Sequence, residues 1–206
     1  MSGLFQAFGR FELYYHEQSI LENGFERAGY NWARRDGITA PDLPVVNNRL
    51  ADRYYGGLES NFANGAIANN TGGVYATILD NNTNSKCAMF PGQFKAYKSW
   101  FFIDNIIVAL GSDISYTYKK QKQSLVNPGN IKEYPIVTTI FQKRVLTADK
   151  QFIQNGENVL EGTDKIVNGN KQWFIDPIGT GYVNYGNANL RLIHGEQSSF
   201  APDDDK

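Results

Sequence analysis

The 206-residue sequence holds one cysteine, two histidines and no surplus of charge of either sign. Cys87, alone, forms no internal disulfide and no cysteine-based metal site; beside Asn84, Ser85 and Lys86 it reads as a stray, partly exposed thiol. A zinc centre needs three or four ligands, and His16 and His194 supply no cluster with ligand spacing. The same scarcity confines any histidine-dependent catalysis to those two positions. Twenty Lys plus Arg against 21 Asp plus Glu leave a net charge of -1, without the basic excess of a nucleic-acid binder, so no nucleic-acid partner is expected. The longest apolar run, Trp100 to Leu110, is broken by Asp104 and Asn105. With no stretch of about 18 apolar residues, no membrane-spanning helix and no membrane partner are expected. Met1 to Phe8 lacks the charged, apolar and cleavage regions of a signal peptide. That start fits a cytoplasmic protein or a chain cut from a longer one, and the polar Ala201-Pro-Asp-Asp-Asp-Lys206 end also looks cut.

What is present is apolar and aromatic. Hydrophobic residues are 41% and aromatic residues 14% of the chain, too rich for disorder and suited to a single domain over residues 1–206. Twenty glycines and many asparagines punctuate β-branched and aromatic segments, which points to an all-β, antiparallel sandwich. Phe94 to Ile103 and Ile106 to Leu110, joined at Asp104-Asn105 and ended by Gly111, form the clearest hairpin. Its apolar residues alternate onto both faces, so it is expected to lie centrally, with a layer on each side or a neighbouring domain over the outer face. Further strands are predicted over Gly73–Leu79, Ile136–Phe141, Gln151–Gln154, Asn158–Leu160, Lys171–Ile175, Gly181–Tyr185 and Asn189–Ile193. Asn155-Gly156 carries the strongest short turn signal. Phe11 to Leu21 has some helical periodicity, but the Phe/Tyr content of Arg10 to His16 favours a strand. Lys119 to Asn130, with Lys119, Lys120 and Lys122, reads as an exposed loop.

Several segments resemble polysaccharide lyase family 8, in particular its chondroitinase ABC-type members. Gly29-Tyr-Asn-Trp-Ala-Arg-Arg-Asp-Gly-Ile-Thr39 is similar to the family's Gly-Trp-Asp-Trp-Asn-Arg-x-Pro-Gly-x-Thr, with Tyr30, Asn31, Ala33 and Asp36 as departures. Pro41-Asp-Leu-Pro44 stands near a family His-Leu-Pro, and Gly56-Gly-Leu58 resembles Gly-Gly-(Val/Leu)-Ser with Glu59 in place of the Ser. The block from Phe94 to Ile114, then Thr138-Thr-Ile-Phe-Gln142, Gln172-Trp-Phe-Ile-Asp176, Gly181-Tyr182 and Gln197-Ser198 follow in the family's order.

The resemblance implies the central β-sandwich of such a lyase, of the galactose mutarotase-like or supersandwich type, secreted or periplasmic. It also implies an acidic polysaccharide of the glycosaminoglycan class as substrate and an α/α-toroid domain of the same parent chain as partner. In the family, bonds to uronic acids are broken by β-elimination: the carboxylate is neutralised, a Tyr with a nearby His removes the C5 proton, and the leaving oxygen is protonated. Neutralisation is needed because the C5 proton is otherwise too weakly acidic. Those catalytic groups belong to the toroid, and a supporting Glu lies just ahead of the segment matching Ala7 to Leu13, whereas residues 1 to 6 hold no Glu. The isolated chain is therefore expected to carry no catalytic residue. Asn155-Gly-Glu-Asn158 spells a motif that carries a supporting Glu in related lyases, but its place in a hairpin makes Glu157 a turn residue. No cofactor is implied; Ca²⁺ in the parent is left open, and this chain has no EF-type spacing for it.

Substrate contact falls on Tyr30, Trp32, Arg34 and Arg35. Guanidinium forks suit carboxylate and sulfate, aromatic rings suit a sugar face, and Arg34 matches the family Arg. An alternative is a stand-alone carbohydrate-binding module with Tyr30, Trp32, Tyr54 and Tyr55 as its platform. A third reading is a small lyase using Tyr14 and His16, which fall on one side of a strand. A fourth is a purely structural or adhesive sandwich. Asp104 and Asp176 read as turn residues.

Overall fold

The computed structural model describes residues 9–31, 34–42, 62–68, 71–80, 92–118, 135–147 and 150–197. Among them there are twelve strands and no α-helix, and every strand pairing is antiparallel. The expected all-β class holds. The chain divides into two compact units, one of residues 1–11 and 32–140, the other of residues 12–31 and 141–206. Cys87, Tyr54, Tyr55, Gly56 to Glu59 and the lysines of 119–122 lie outside the described residues.

In the first unit β1 (Thr39–Pro41) pairs with β6 (Ile136–Thr138), and β2 (Ala63–Ala68), β3 (Gly72–Asp80), β4 (Gly92–Ile103) and β5 (Ile106–Tyr118) form a meander in the order β2-β3-β4-β5. The expected hairpin is β4 and β5, with Asp104 at positive φ in the turn, but β5 is an edge of this sheet, so the hairpin does not have the central place expected of it. Alternation along β4 buries Phe94, Ala96, Lys98 and Trp100 on one face. Each large apolar side chain so buried contributes roughly 1.5–3 kcal/mol. Phe11 closes this face, its ring 5.9 Å from Trp100 and 6.0 Å from Phe102. The opposite face carries Phe101, Ile103, Ile106, Val108 and Leu110, all exposed. A layer on each side of the hairpin is thus not found among the described residues. A shallow hollow of about 400 Å³ opens on this face between Ala66, Val74, Phe101 and Ile103.

β5 does not stop at Gly111. It continues because the register shifts between Lys95 and Tyr97, where two residues of β5 oppose Ala96 alone. Asp113, at positive φ, absorbs the extra residue, and its carboxylate takes a 2.7 Å hydrogen bond from Lys95. Such a bulge re-aims the strand without ending it.

In the second unit β7 (Ile153–Gln154), β8 (Glu157–Asn158), β10 (Lys171–Ile175) and β11 (Gly181–Tyr185) form a sheet in the order β11-β10-β7-β8. A ribbon of β9 (Thr163–Val167) and β12 (Leu190–His194) completes the unit's strands. Phe152, Val159, Phe174 and Leu192 form the core, with Phe141, Tyr182 and Val167 packed against it. Asn155 and Gly156 both have positive φ, as the two-residue turn requires. Glu157 is exposed beside that turn.

Two further strand expectations are corrected, and three strands were not foreseen. Arg10 to His16 joins no sheet; the buried Asn23 captures its backbone, accepting from Tyr15 N at 2.6 Å and donating to the carbonyls of Tyr15, Gln18 and Ser19. The strand predicted over Ile136–Phe141 ends at Thr138, because Phe141 leaves to stack on Tyr182 at 4.8 Å and to meet Phe152 edge-on. β1, β2 and β9 had no strand signal: β2 is built of small residues and β9 is mostly polar outside Ile166 and Val167.

Candidate functional site

The segment Gly29 to Thr39 passes from the second unit into the first. In the second unit Tyr30 is 6% exposed, with its ring 4.8 Å from Phe25. It presents no open face for stacking on a sugar. Asn31 is held by Gln142 in a reciprocal pair, N to Oε1 at 2.8 Å and Nε2 to O at 3.2 Å. The side chain of Gln142 thereby imitates a β-ladder partner, a role that residue type alone does not reveal.

In the first unit, Arg34 forms an ion pair with Asp42, both partly buried. Arg35 is half-buried, and its carbonyl accepts from Ile38 N at 3.0 Å. Asp36 is buried, and its carbonyl accepts from Phe11 N at 2.9 Å. Ile38, Thr39 and Ala40 then sink into the unit's interior. Trp32 and Ala33 lie outside the described residues. The structure therefore gives Arg34 a carboxylate partner from its own chain, the pairing chemistry by which a guanidinium also holds a uronate or a sulfate.

Gly9 and Gly37 approach Lys98 from above the sheet. The Lys98 ammonium donates to Gly9 O at 3.1 Å and to Gly37 O, and lies 5.2 Å from the Trp100 ring centre. Both glycines have positive φ, and a β-carbon at Gly9 would sit 2.9 Å from Lys98 Nζ. Burial pulls the Lys98 pKa down to about 8.

Tyr14 and His16 are not brought together. Tyr14 OH donates to Glu12 at 2.6 Å, while His16 is 92% exposed and lies 3.7 Å from Glu17. Tyr15 OH meets Thr180 Oγ1 at 3.0 Å. His194 Nδ1 donates to Val159 O at 2.6 Å and braces the second unit's core. Asp176, 1% exposed, accepts from Ile178 N, Thr180 N and Tyr182 OH at 2.9–3.0 Å. It is the turn residue expected. Among the described residues no three His, Cys, Asp or Glu side chains gather as metal ligands.

The family model described as polysaccharide lyase family 8, super-sandwich domain, matches residues 1–200. The chain belongs to polysaccharide lyase family 8. It is 32% identical over 168 residues to a chondroitin sulfate ABC exolyase of Bacteroides thetaiotaomicron, covering 78% of this chain and 14% of that relative. It is 24% identical over 204 residues to a chondroitin sulfate ABC exolyase of Proteus vulgaris, covering 96% of this chain and 19% of that relative. The chain thus spans under a fifth of the length of the curated relatives it matches. No solved structure matches it. The antiparallel all-β architecture agrees with a super-sandwich domain of that family.

Read only as strands, β10 and β11 give no hint of a site; the usable signal is their alternation, which buries Phe174 and exposes Trp173, Val183 and Tyr185.

Proposed function

We propose that residues 1–206 act as one sandwich domain within a secreted or periplasmic lyase that eliminates across uronate bonds of chondroitin sulfate or hyaluronan-type polymers. The domain supports an α/α-toroid catalytic domain of the same parent chain and forms one wall of its substrate cleft. The observation that carries this is the match of 78% and 96% of the chain to under a fifth of each of two chondroitin sulfate ABC exolyases. The open apolar face of β4 and β5 supports it, because contiguous exposed apolar surface marks a partner site.

Within that wall Arg34 and Arg35 meet the anionic groups of the polymer and Trp32 its sugar face, while Tyr30, packed on Phe25, holds the segment from below. The Arg34–Asp42 pair presets the guanidinium, so less ordering entropy is lost on binding.

Two measurements test this. The isolated chain incubated with chondroitin sulfate should produce no ultraviolet absorbance of unsaturated uronate. In the parent enzyme, read from the coding DNA on both sides, Arg34→Ala should lower kcat/KM on chondroitin sulfate by roughly ten-fold, as for loss of a charge-assisted contact. Elimination by the isolated chain, abolished by His16→Ala, would overturn the reading.

A further inference from the structure

β10 and β11 are adjacent antiparallel strands, and β11 is the edge of its sheet. Trp173 lies directly opposite Val183, and Lys171 directly opposite Tyr185. All four side chains share one face, and the buried Gln172 and Phe174 take the other. Trp173 is 36% exposed and Tyr185 76% exposed. The backbone beneath Trp173 is held by Asn155, its N donating to Asn155 Oδ1 and its O accepting from Asn155 N, both at 3.0 Å. Gly156 lies at the ring edge, where an added β-carbon would be 3.8 Å from Trp173 Cζ2. Gly181 and Gly186, at the two ends of β11, have open space above them. Lys171 Nζ lies 5.6 Å from the Tyr185 ring centre.

We propose that Trp173 and Tyr185 form a stacking platform for an anionic glycan, with Lys171 meeting its carboxylate or sulfate groups. The aromatic faces are negative and apolar, and match the weakly positive C–H face of a pyranose ring. Residues diagonal across an antiparallel pair have Cα atoms about 7–8 Å apart, within reach of one extended ligand. The ammonium at one end supplies the charge that a uronate polymer complements. A protein partner fits this strip less well: a stable interface buries about 800 Å² on each side, and the patch is three apolar side chains bounded by glycines. The larger apolar face of β4 and β5 is the better protein-docking surface. This inference rests on the lyase reading above, and adds a glycan contact in the second unit, on residues other than Tyr30, Trp32, Arg34 and Arg35.

The test is a titration of the 206-residue chain with a chondroitin 4-sulfate hexasaccharide, following affinity by calorimetry and the three tryptophan indole N–H resonances by NMR. The Trp173 resonance, assigned from Trp173→Phe, should shift. Trp173→Ala and Tyr185→Ala should each weaken binding about ten-fold, with Trp173→Phe within about three-fold. Lys171→Gln should weaken it about three-fold and flatten its dependence on salt. Tyr185 lies on an exposed edge strand, so Tyr185→Ala keeps the test valid even where Trp173→Ala impairs folding. Absence of binding, or binding unaffected by Trp173→Ala and Tyr185→Ala, overturns the platform. Loss of binding in Arg34→Ala alone overturns it too while supporting the Arg34 reading, and kcat/KM of the parent Arg34→Ala variant judges that reading independently.

Discussion

Lys98, only 7% exposed, donates its ammonium proton to the carbonyl of Gly9 at 3.1 Å. The pairing fastens the Gly9–Phe11 and Asp36–Gly37 backbones onto the inner face of β4, and it buries a cation against two neutral carbonyls and the Trp100 ring.

Burial lowers the Lys98 pKa to about 8, from an ordinary value of 10.5. Between those limits the folded state binds fewer protons than the unfolded state, so stability rises with pH. The penalty is complete below pH 8 and relieved by about pH 10.5. Wild-type chain should therefore gain roughly 3 kcal/mol across that interval relative to Lys98→Met. Urea melts at a series of pH values measure the difference; parallel curves for the two proteins would count against it.

Asp176 satisfies two backbone amides and the Tyr182 hydroxyl from a buried position. Asp176→Ala strands three donors and should cost roughly 3 kcal/mol, with Asp176→Asn milder because one amide oxygen remains. Chemical denaturation of both variants decides this, and equal losses would show that the turn does not depend on the carboxylate.

Asn23 is the hub of the Tyr15–Asn23 loop, accepting one hydrogen bond and sharing its two amide N–H donors among three carbonyls. Asn23→Ala should lower stability by about 2 kcal/mol and speed amide exchange at Tyr15. Hydrogen exchange read residue by residue checks it; unchanged protection at Tyr15 would refute the bracing role.

The two faces of the sheets should respond in opposite ways. Phe174→Ala, in the second unit's core, should cost about 3–5 kcal/mol. Val108→Lys, on the exposed face of β5, should stay within about 0.5 kcal/mol and reduce binding of a hydrophobic dye. A large destabilisation by Val108→Lys would mean that this face is covered within the chain itself.

Residue order alone was enough for the β class, for the turns at Asp104-Asn105 and Asn155-Gly156, for the exact spans of β10 and β11, and for the family, because these depend on local φ preference, period-two alternation and short motifs. Tertiary structure decided the rest. Arg10 to His16 has strand-like composition, yet Asn23, eight residues beyond Tyr15, takes its backbone. Phe141 continues a β-branched run, yet the second unit's core draws it away. Arg34 and Lys98 look equally solvent-bound as letters; one is paired with Asp42 and the other is buried under two glycines. Alternation separates Trp173 from Phe174, but which of them meets solvent depends on where β9 and β12 pack. Local propensity acts over a few neighbours, whereas burial and pairing depend on groups that folding brings together from distant parts of the chain.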